Sequence, residues 1–205
     1  MAKFPWPPPP DELRRVPVAR HTMRSGTQVA RIYPRGGSHP TAWRKLRFDG
    51  PLPGARFDHH VAGARRGVLY GAVDLVTCVA EIFQESRLVD RVAADRCLAA
   101  FRLSRPVRLL DLTGDWPTRA GASQALASGP RPRAQAWARA IYEAYPKIEG
   151  IWYPSSMHGG HIALVLFERA DQALPLRPDL DVPLSHPGLL PDLVRAAGSL
   201  GYLLR

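Results

Sequence analysis

The chain has 205 residues, 45% hydrophobic and 22% charged, which indicates one globular domain, with or without terminal extensions, and excludes wholesale disorder. Its formal net charge of +10 favours anionic partners such as nucleic acid, phosphorylated small molecules or an acidic protein, without choosing among them. No apolar run approaches the ~18 residues of a membrane span, and the N-terminus lacks a signal-peptide core. With Cys78 and Cys97 outside any Cys-x-x-Cys spacing, we expect a cytoplasmic protein with reduced thiols.

The N-terminal part of the chain is rich in proline, and the run Pro7–Pro10 favours polyproline II. We interpret residues 1–27 as an arm or cap outside the core, with a short helix at Asp11–Val16. A strand is predicted at Gln28–Tyr33 because Val, Ile and Tyr are frequent there. Residues 34–66 are basic and rich in Gly, Pro and His, and a stretch of that length without secondary structure is usually functional or disordered.

A second strand is predicted at Gly67–Ala72, followed by the clearest helix of the chain at Asp74–Glu85. Apolar residues almost surround this helix, so we expect it to be largely buried. Asp74, Thr77 and Glu81 form a narrow polar stripe at spacings of three and four. Glu81 therefore lies on the polar stripe of a buried helix.

The remaining pattern mixes strands with a few helices. We predict strands at residues 97–103, 107–112, 148–153 and 161–168, and helices at residues 115–128, 133–145 and 191–200. The run Ile162–Phe167 has the continuous apolar character of a strand buried on both faces. Without regular βαβ alternation, this order predicts an α+β fold rather than a doubly wound one.

Three apolar elements each carry a polar residue, and buried polar groups are costly unless they are paired. Arg31 could grip a phosphate with its guanidinium fork, or it could lie on the solvent face of an edge strand. Glu81 could bind a ribose hydroxyl and stabilise a developing positive charge, or it could belong to an exposed stripe. Ser155 and Ser156 follow Pro154 in a turn that permits close approach of a ligand, or that only connects strands.

Tyr33 and Tyr70 end strands near these residues, where an aromatic ring could stack on a nicotinamide or adenine, although aromatics are more often core. The pairs His59-His60 and His158-x-x-His161 lack a cysteine or a His-Glu-x-x-His helix, so we expect no metal site. Gly-x-Gly-x-x-Gly, Gly-x-x-x-x-Gly-Lys and Gly-x-Ser-x-Gly motifs are absent, which argues against Rossmann, P-loop and serine-hydrolase sites.

Taken together, these segments resemble the RES domain, a family named for its Arg, Glu and Ser, over residues 28–170. The stretches that carry the resemblance are Arg31-Ile32-Tyr33, Gly50-Pro51-Leu52-Pro53, Arg56-Phe57-Asp58-His59-His60, Val68-Leu69-Tyr70-Gly71-Ala72, Ala80-Glu81-Ile82-Phe83, Leu109-Leu110-Asp111-Leu112 and Tyr153-Pro154-Ser155-Ser156. The Tyr70 to Glu81 spacing is the most specific of them. An Arg-Trp pair often found in the family is Arg56-Phe57 here, which leaves the role of this loop open.

The resemblance implies an ADP-ribosyltransferase-like fold with a split, mainly antiparallel sheet and a cleft for NAD. It implies a toxin that cleaves the nicotinamide–ribose bond of NAD by hydrolysis or phosphorolysis, or one that ADP-ribosylates a protein, neutralised by a helix-turn-helix antitoxin. Glu81, Arg31 and Ser155 would be catalytic, and Tyr33, Tyr70 and Ser156 would help to bind NAD, without a metal. Residues 1–27 would be an N-terminal arm and residues 171–205 a C-terminal extension with a helix packed on the domain.

A non-enzymatic nucleic-acid-binding protein is the alternative from another class. Its support is the net charge and a basic loop consisting of Arg35, Arg44, Lys45, Arg47, Arg56, Arg65 and Arg66. Against it, the basic residues are scattered and neither a recognition helix nor an aromatic platform stands out, so we expect no direct binding of nucleic acid.

Overall fold

The computed structural model describes residues 4–205; the first three residues of the expected N-terminal arm lie outside this range. The helices are α1 (Pro10–Leu13), α2 (Leu75–Ile82), α3 (Trp116–Arg119), α4 (Ala125–Ser128), α5 (Arg131–Ala144) and α6 (Leu190–Leu200), with 3-10 turns at Ala93–Asp95, Glu168–Ala173 and Pro187–Leu189. The strands are β1 (Arg20–Met23), β2 (Gln28–Pro34), β3 (Val68–Ala72), β4 (Leu88–Val89), β5 (Arg96–Arg102), β6 (Val107–Asp111), β7 (Gly150–Pro154), β8 (Ile162–Phe167), β9 (Leu180–Pro183) and β10 (Leu203–Leu204). The expected α+β class is confirmed.

Eight strands form one sheet in the order β1-β6-β7-β8-β3-β2-β5-β9, and β4 pairs with β10 separately. Every pair in the large sheet is antiparallel except β6 with β7. Strands β2 and β3 are joined by the single pair Ala30 and Ala72, so the sheet is nearly split there. Gly71 permits this close approach, because a Cβ at that position would lie 2.9 Å from the carbonyl oxygen of Ala30.

Helices cover one face of the sheet. Helix α5 packs with Trp137 and Ile141 against β6, β7, β8 and β3, whereas α2 and α6 pack against β2, β3 and β5. The other face holds a third cluster that includes Val29, Leu69 and Leu164. Residues 163–167 are all buried, which confirms that β8 is covered on both faces. The helix expected at 191–200 is confirmed as α6, and its packing joins the end of the chain to α2.

The interpretation of residues 1–27 as an arm outside the core is wrong for its described part. Leu13 is fully buried, Met23 is 2% exposed, and β1 extends the sheet by pairing with β6. Strand β9 likewise extends the opposite edge by pairing with β5. Both are four-residue strands with mostly polar or proline-containing sequences, so neither has a recognisable alternating pattern. The boundaries expected at residues 27 and 170 therefore do not coincide with the edges of the sheet.

The helix expected at residues 115–128 is interrupted. Helix α3 ends before Gly121, whose φ of 82° lies in the left-handed region, and α4 begins at Ala125. In the loop between β2 and β3, Asp58, His59 and His60 are buried although the loop is basic. Asp58 is paired with Arg47 at 2.7 Å and accepts the backbone N–H of Leu52, so a buried ion pair fixes this loop.

Candidate functional site

Glu81 and Ser155 are brought together from α2 and the end of β7. The Ser155 hydroxyl donates to Glu81 Oε1 at 2.6 Å, although the two residues are 74 positions apart. Ser155 Oγ also accepts the backbone N–H groups of Met157 and His158, and Ser155 is only 4% exposed. Ser156 is exposed. Ser155 therefore positions the Glu81 carboxylate, since the one proton of its hydroxyl is donated to Glu81.

Two arginines that the sequence did not single out as site residues act on Glu81. Burial raises the pKa of Glu81 above its ordinary value, while the Ser155 hydrogen bond and the charges of Arg56 and Arg131 oppose that rise. Arg56 is held by the carbonyl of Gly129 at 2.5 Å, and Arg131 donates to the Gln84 side chain at 3.2 Å. Burial, followed by the charge of Arg131, lowers the pKa of Arg56. The carboxylate therefore lies in a half-buried site beside two cations.

Arg31 lies on β2, which is an inner strand between β3 and β5, so the edge-strand alternative is wrong. Its Nε is buried and has no hydrogen-bond partner among residues 4–205. Burial lowers the pKa of Arg31 to about 10, with a smaller lowering from Arg47. The side chain is still a cation at neutral pH. A buried guanidinium nitrogen that lacks an acceptor suits an anionic ligand.

Tyr33 and Tyr70 have hydroxyls that are already bonded within the protein. Tyr33 is 3% exposed and donates to Asp181 at 2.7 Å. The Tyr70 hydroxyl donates to Asp58 at 2.9 Å and accepts the backbone N–H of Phe57 at the same distance. Tyr70 thus anchors the loop that carries Arg56. Stacking of either ring on a ligand stays a prediction, and for Tyr33 it would require the buried ring to move.

The loop that begins with Ser155 contacts α2 at a second place. Asp74 caps α2 by accepting the backbone N–H of Thr77 at 2.7 Å and its hydroxyl at 2.9 Å. The Thr77 hydroxyl also lies 3.0 Å from Nδ1 of His158. The polar stripe predicted on α2 is confirmed as the side of the helix that faces this loop. Ser155 contacts Glu81 and His158 contacts Thr77, so the loop is bonded to α2 at two points along the polar stripe.

An open cavity of about 510 Å³ lies at the C-terminal end of α2 and has Glu81 in its lining. Its size falls within the usual range for small-molecule sites, about 300–1,000 Å³. Gln84, Asp90 and Arg96 contribute further polar groups to it. Glu81 therefore both lines an accessible cavity and accepts the Ser155 hydroxyl.

A nearly split, mostly antiparallel sheet with a serine-held carboxylate beside basic side chains defines the class of fold. The chain belongs to the RES domain family, which residues 28–185 match. This range confirms the resemblance seen in the sequence and extends it through β9. A chain in the crystal structure of the M. tuberculosis MbcT-MbcA toxin-antitoxin complex is similar at 18% identity, with a TM-score of 0.57, over 84% of this chain and 91% of that one. That likeness concerns the fold. No curated protein matched the chain. Among residues 4–205 no helix is both long and apolar enough to cross a membrane.

The pH dependence of any reaction that needs the Glu81 carboxylate follows from its surroundings. Burial raises the pKa of Glu81, so activity should fall on the acidic side at a higher pH than an ordinary glutamate would give. The Arg56 charge lowers this pKa, so Arg56→Gln should move the acidic limb of kcat/KM to higher pH. The rate of that reaction, measured from acidic to neutral pH, tests this shift of the acidic limb. Arg108→Gln, which changes an exposed arginine on β6, is the control. An unmoved limb in Arg56→Gln would contradict the assigned role of Arg56.

Proposed function

We propose that this protein is a toxin of a toxin–antitoxin pair and that it cleaves the nicotinamide–ribose bond of NAD in the cytoplasm. The observation that carries the proposal is the Glu81 carboxylate, half-buried, held by Ser155 and open to a cavity, in a chain of the RES family. The buried Nε of Arg31, which has no partner in the part of the chain that the structure describes, supports it, because a dinucleotide brings a pyrophosphate. The similar fold in a toxin–antitoxin complex supports the biological role.

The proposed chemistry assigns a role to each group. When the glycosidic bond breaks, its electron pair stays on the nicotinamide nitrogen, and positive charge develops on the ribose C1′ and ring oxygen. The Glu81 carboxylate stabilises that charge and accepts a hydrogen bond from a ribose hydroxyl. Arg31 binds the pyrophosphate with its fork, and Ser155 fixes the carboxylate that meets the ribose. Water, which loses a proton to the solvent, or phosphate then adds to C1′ and gives ADP-ribose or its phosphate ester at C1′, without a metal or a protein nucleophile.

The basic loop gives less support to the nucleic-acid alternative than its sequence suggested. Arg35 is paired with Asp95, Arg47 with Asp58, and Arg66 with Glu143. Arg56 donates to the carbonyl of Gly129, and its charge lowers the pKa of Glu81. Cations that are bonded within the protein are less available for phosphate contacts on an extended nucleic acid.

The deciding experiment incubates purified, folded protein, free of any partner, with NAD in the presence and absence of phosphate. We expect free nicotinamide to be released in step with NAD loss, and the second product separates hydrolysis from phosphorolysis. Label from NAD on a macromolecule would instead indicate ADP-ribosyl transfer, and a salt-sensitive gel shift without turnover would favour nucleic-acid binding. Absence of nicotinamide release in both buffers would refute the proposed reaction.

The biological role needs a test in cells. The chain is expressed alone, as Glu81→Gln, and together with the neighbouring open reading frame, which we expect to encode a small helix-turn-helix antitoxin. An acidic or carboxylate-bearing segment of that partner would fit the cationic site around Arg31. Growth arrest should require Glu81 and be relieved by the neighbour. Harmless expression of an active, soluble enzyme would overturn the toxin role and leave NAD cleavage standing.

A further inference from the structure

Three potential metal ligands from two separate segments meet at the N-terminus of α2. Asp74 precedes the helix, while His158 and His161 lie in the loop between β7 and β8. One ligand atom from each residue lies within 4.8 Å of those of the other two. The imidazole rings of the two histidines are stacked, with centroids 3.6 Å apart and planes at 7°, so one ring has to rotate about its side-chain bonds before the lone pairs of both can point at a single ion. His161 Nδ1 lies 3.6 Å from Asp74 Oδ2.

The hydrogen bonds around this cluster leave lone pairs for a ligand. The Thr77 hydroxyl has one proton, which goes to Asp74 because a carboxylate is the stronger acceptor. The Nδ1–H of His158 then donates to the Thr77 oxygen at 3.0 Å, which leaves Nε2 of the same ring as an acceptor. Metal-binding histidines typically donate their other ring N–H in this manner. Asp74 and His158 are half-buried and His161 is exposed, so the cluster is both supported and accessible.

We propose that Asp74, His158 and His161 form a binding site for a divalent transition-metal ion of the Zn²⁺ type. Two imidazoles and one carboxylate are a zinc donor set that leaves a fourth position open. Nitrogen ligands disfavour Mg²⁺ and Ca²⁺, which take oxygen. The sequence argued against a metal because His158-x-x-His161 has no nearby cysteine and no His-Glu-x-x-His helix, whereas the fold supplies a carboxylate from a residue 84 positions upstream of His158.

The metal site would join the loop that begins with Ser155 to α2. His158 is three residues after Ser155, and Asp74 is seven residues before Glu81, about 10 Å along a helix at 1.5 Å per residue. The bound ion would lie beyond the reacting groups and would clamp the loop that holds the Glu81 carboxylate. The proposal does not depend on NAD cleavage, so the two can fail separately.

The test uses the untagged full chain, stripped with a chelator and titrated with Co²⁺, whose visible spectrum reports nitrogen and carboxylate ligation. We expect one Co²⁺ per chain, displacement of the band by Zn²⁺, and a rise in Tm of roughly 5–10 °C at a hundredfold excess over Kd. The double variant His158→Gln/His161→Gln should lose both the band and the Tm rise. His39→Gln, an exposed histidine outside the cluster, should retain both.

Circular dichroism of each variant establishes that it is folded before titration. Because Asp74 caps α2, the histidine pair and not Asp74→Asn is the primary variant. Absence of a Co²⁺ band and of a Tm shift in the unaltered chain would overturn the proposal. So would a folded double variant that binds the ion as the unaltered chain does.

Discussion

Glu81→Gln should lower kcat for NAD cleavage by about a hundredfold or more while leaving NAD affinity within a few-fold. The amide keeps the shape of the side chain and can still accept the Ser155 hydroxyl at the same place. It lacks the negative charge that would stabilise the developing ribosyl cation, and losing one preorganised electrostatic interaction typically costs about 10²–10³ in rate. Single-turnover measurement of nicotinamide release separates this effect from product release.

The same substitution should not destabilise the protein at neutral pH. A raised pKa means that the folded state binds the Glu81 proton more readily than the unfolded state, so ionisation of Glu81 opposes folding as pH rises. Glu81→Gln should therefore unfold at an equal or slightly higher temperature. Glu12→Gln, on the exposed side of α1, is the matched control and should alter neither rate nor Tm. A Glu81→Gln enzyme with a near-normal rate would remove Glu81 from the chemistry.

Arg31→Ala should weaken NAD binding by about tenfold to a hundredfold and also lower turnover. Hydrogen bonds to charged groups contribute about 1.5–3 kcal/mol each, and every 1.4 kcal/mol is a tenfold change in Kd. The Nε of Arg31 is buried and has no acceptor within the described residues 4–205, so phosphate oxygens would satisfy it at little cost in reorganisation. The NAD affinity of Arg31→Lys should fall between that of the unaltered protein and that of Arg31→Ala, because lysine keeps the charge but loses the planar fork.

Affinity is best measured by calorimetry in a Glu81→Gln background, where NAD is not consumed. Arg108→Ala, an exposed arginine on β6, gives the matched control for the loss of one positive charge. ADP-ribose, which keeps the pyrophosphate but lacks nicotinamide, should lose affinity in Arg31→Ala by a similar factor. Equal affinity of Arg31→Ala and Arg108→Ala would mean that Arg31 does not bind the pyrophosphate.

The sequence by itself determined the elements whose pattern is local. The polar stripe of α2 and the apolar run of β8 follow from periodicity and composition, because a buried helix and a strand covered on both faces leave a direct trace in neighbouring residues. Arg31 and Glu81 were therefore placed correctly on β2 and α2. The RES resemblance rested on the same local stretches, and the family match confirms it.

Only the tertiary structure decided which distant side chains meet. The hydrogen bond of Ser155 to Glu81, the effect of the Arg56 charge on the pKa of Glu81, and the approach of Asp74 to His158 and His161 all involve residues far apart in the chain, and no local pattern encodes such pairs. The edge strands β1 and β9 had no signal of their own, since they are short and gain their hydrogen bonds from β6 and β5. The burial of Asp58 within a basic loop likewise depends on its ion pair with Arg47, which exists only once the loop has closed.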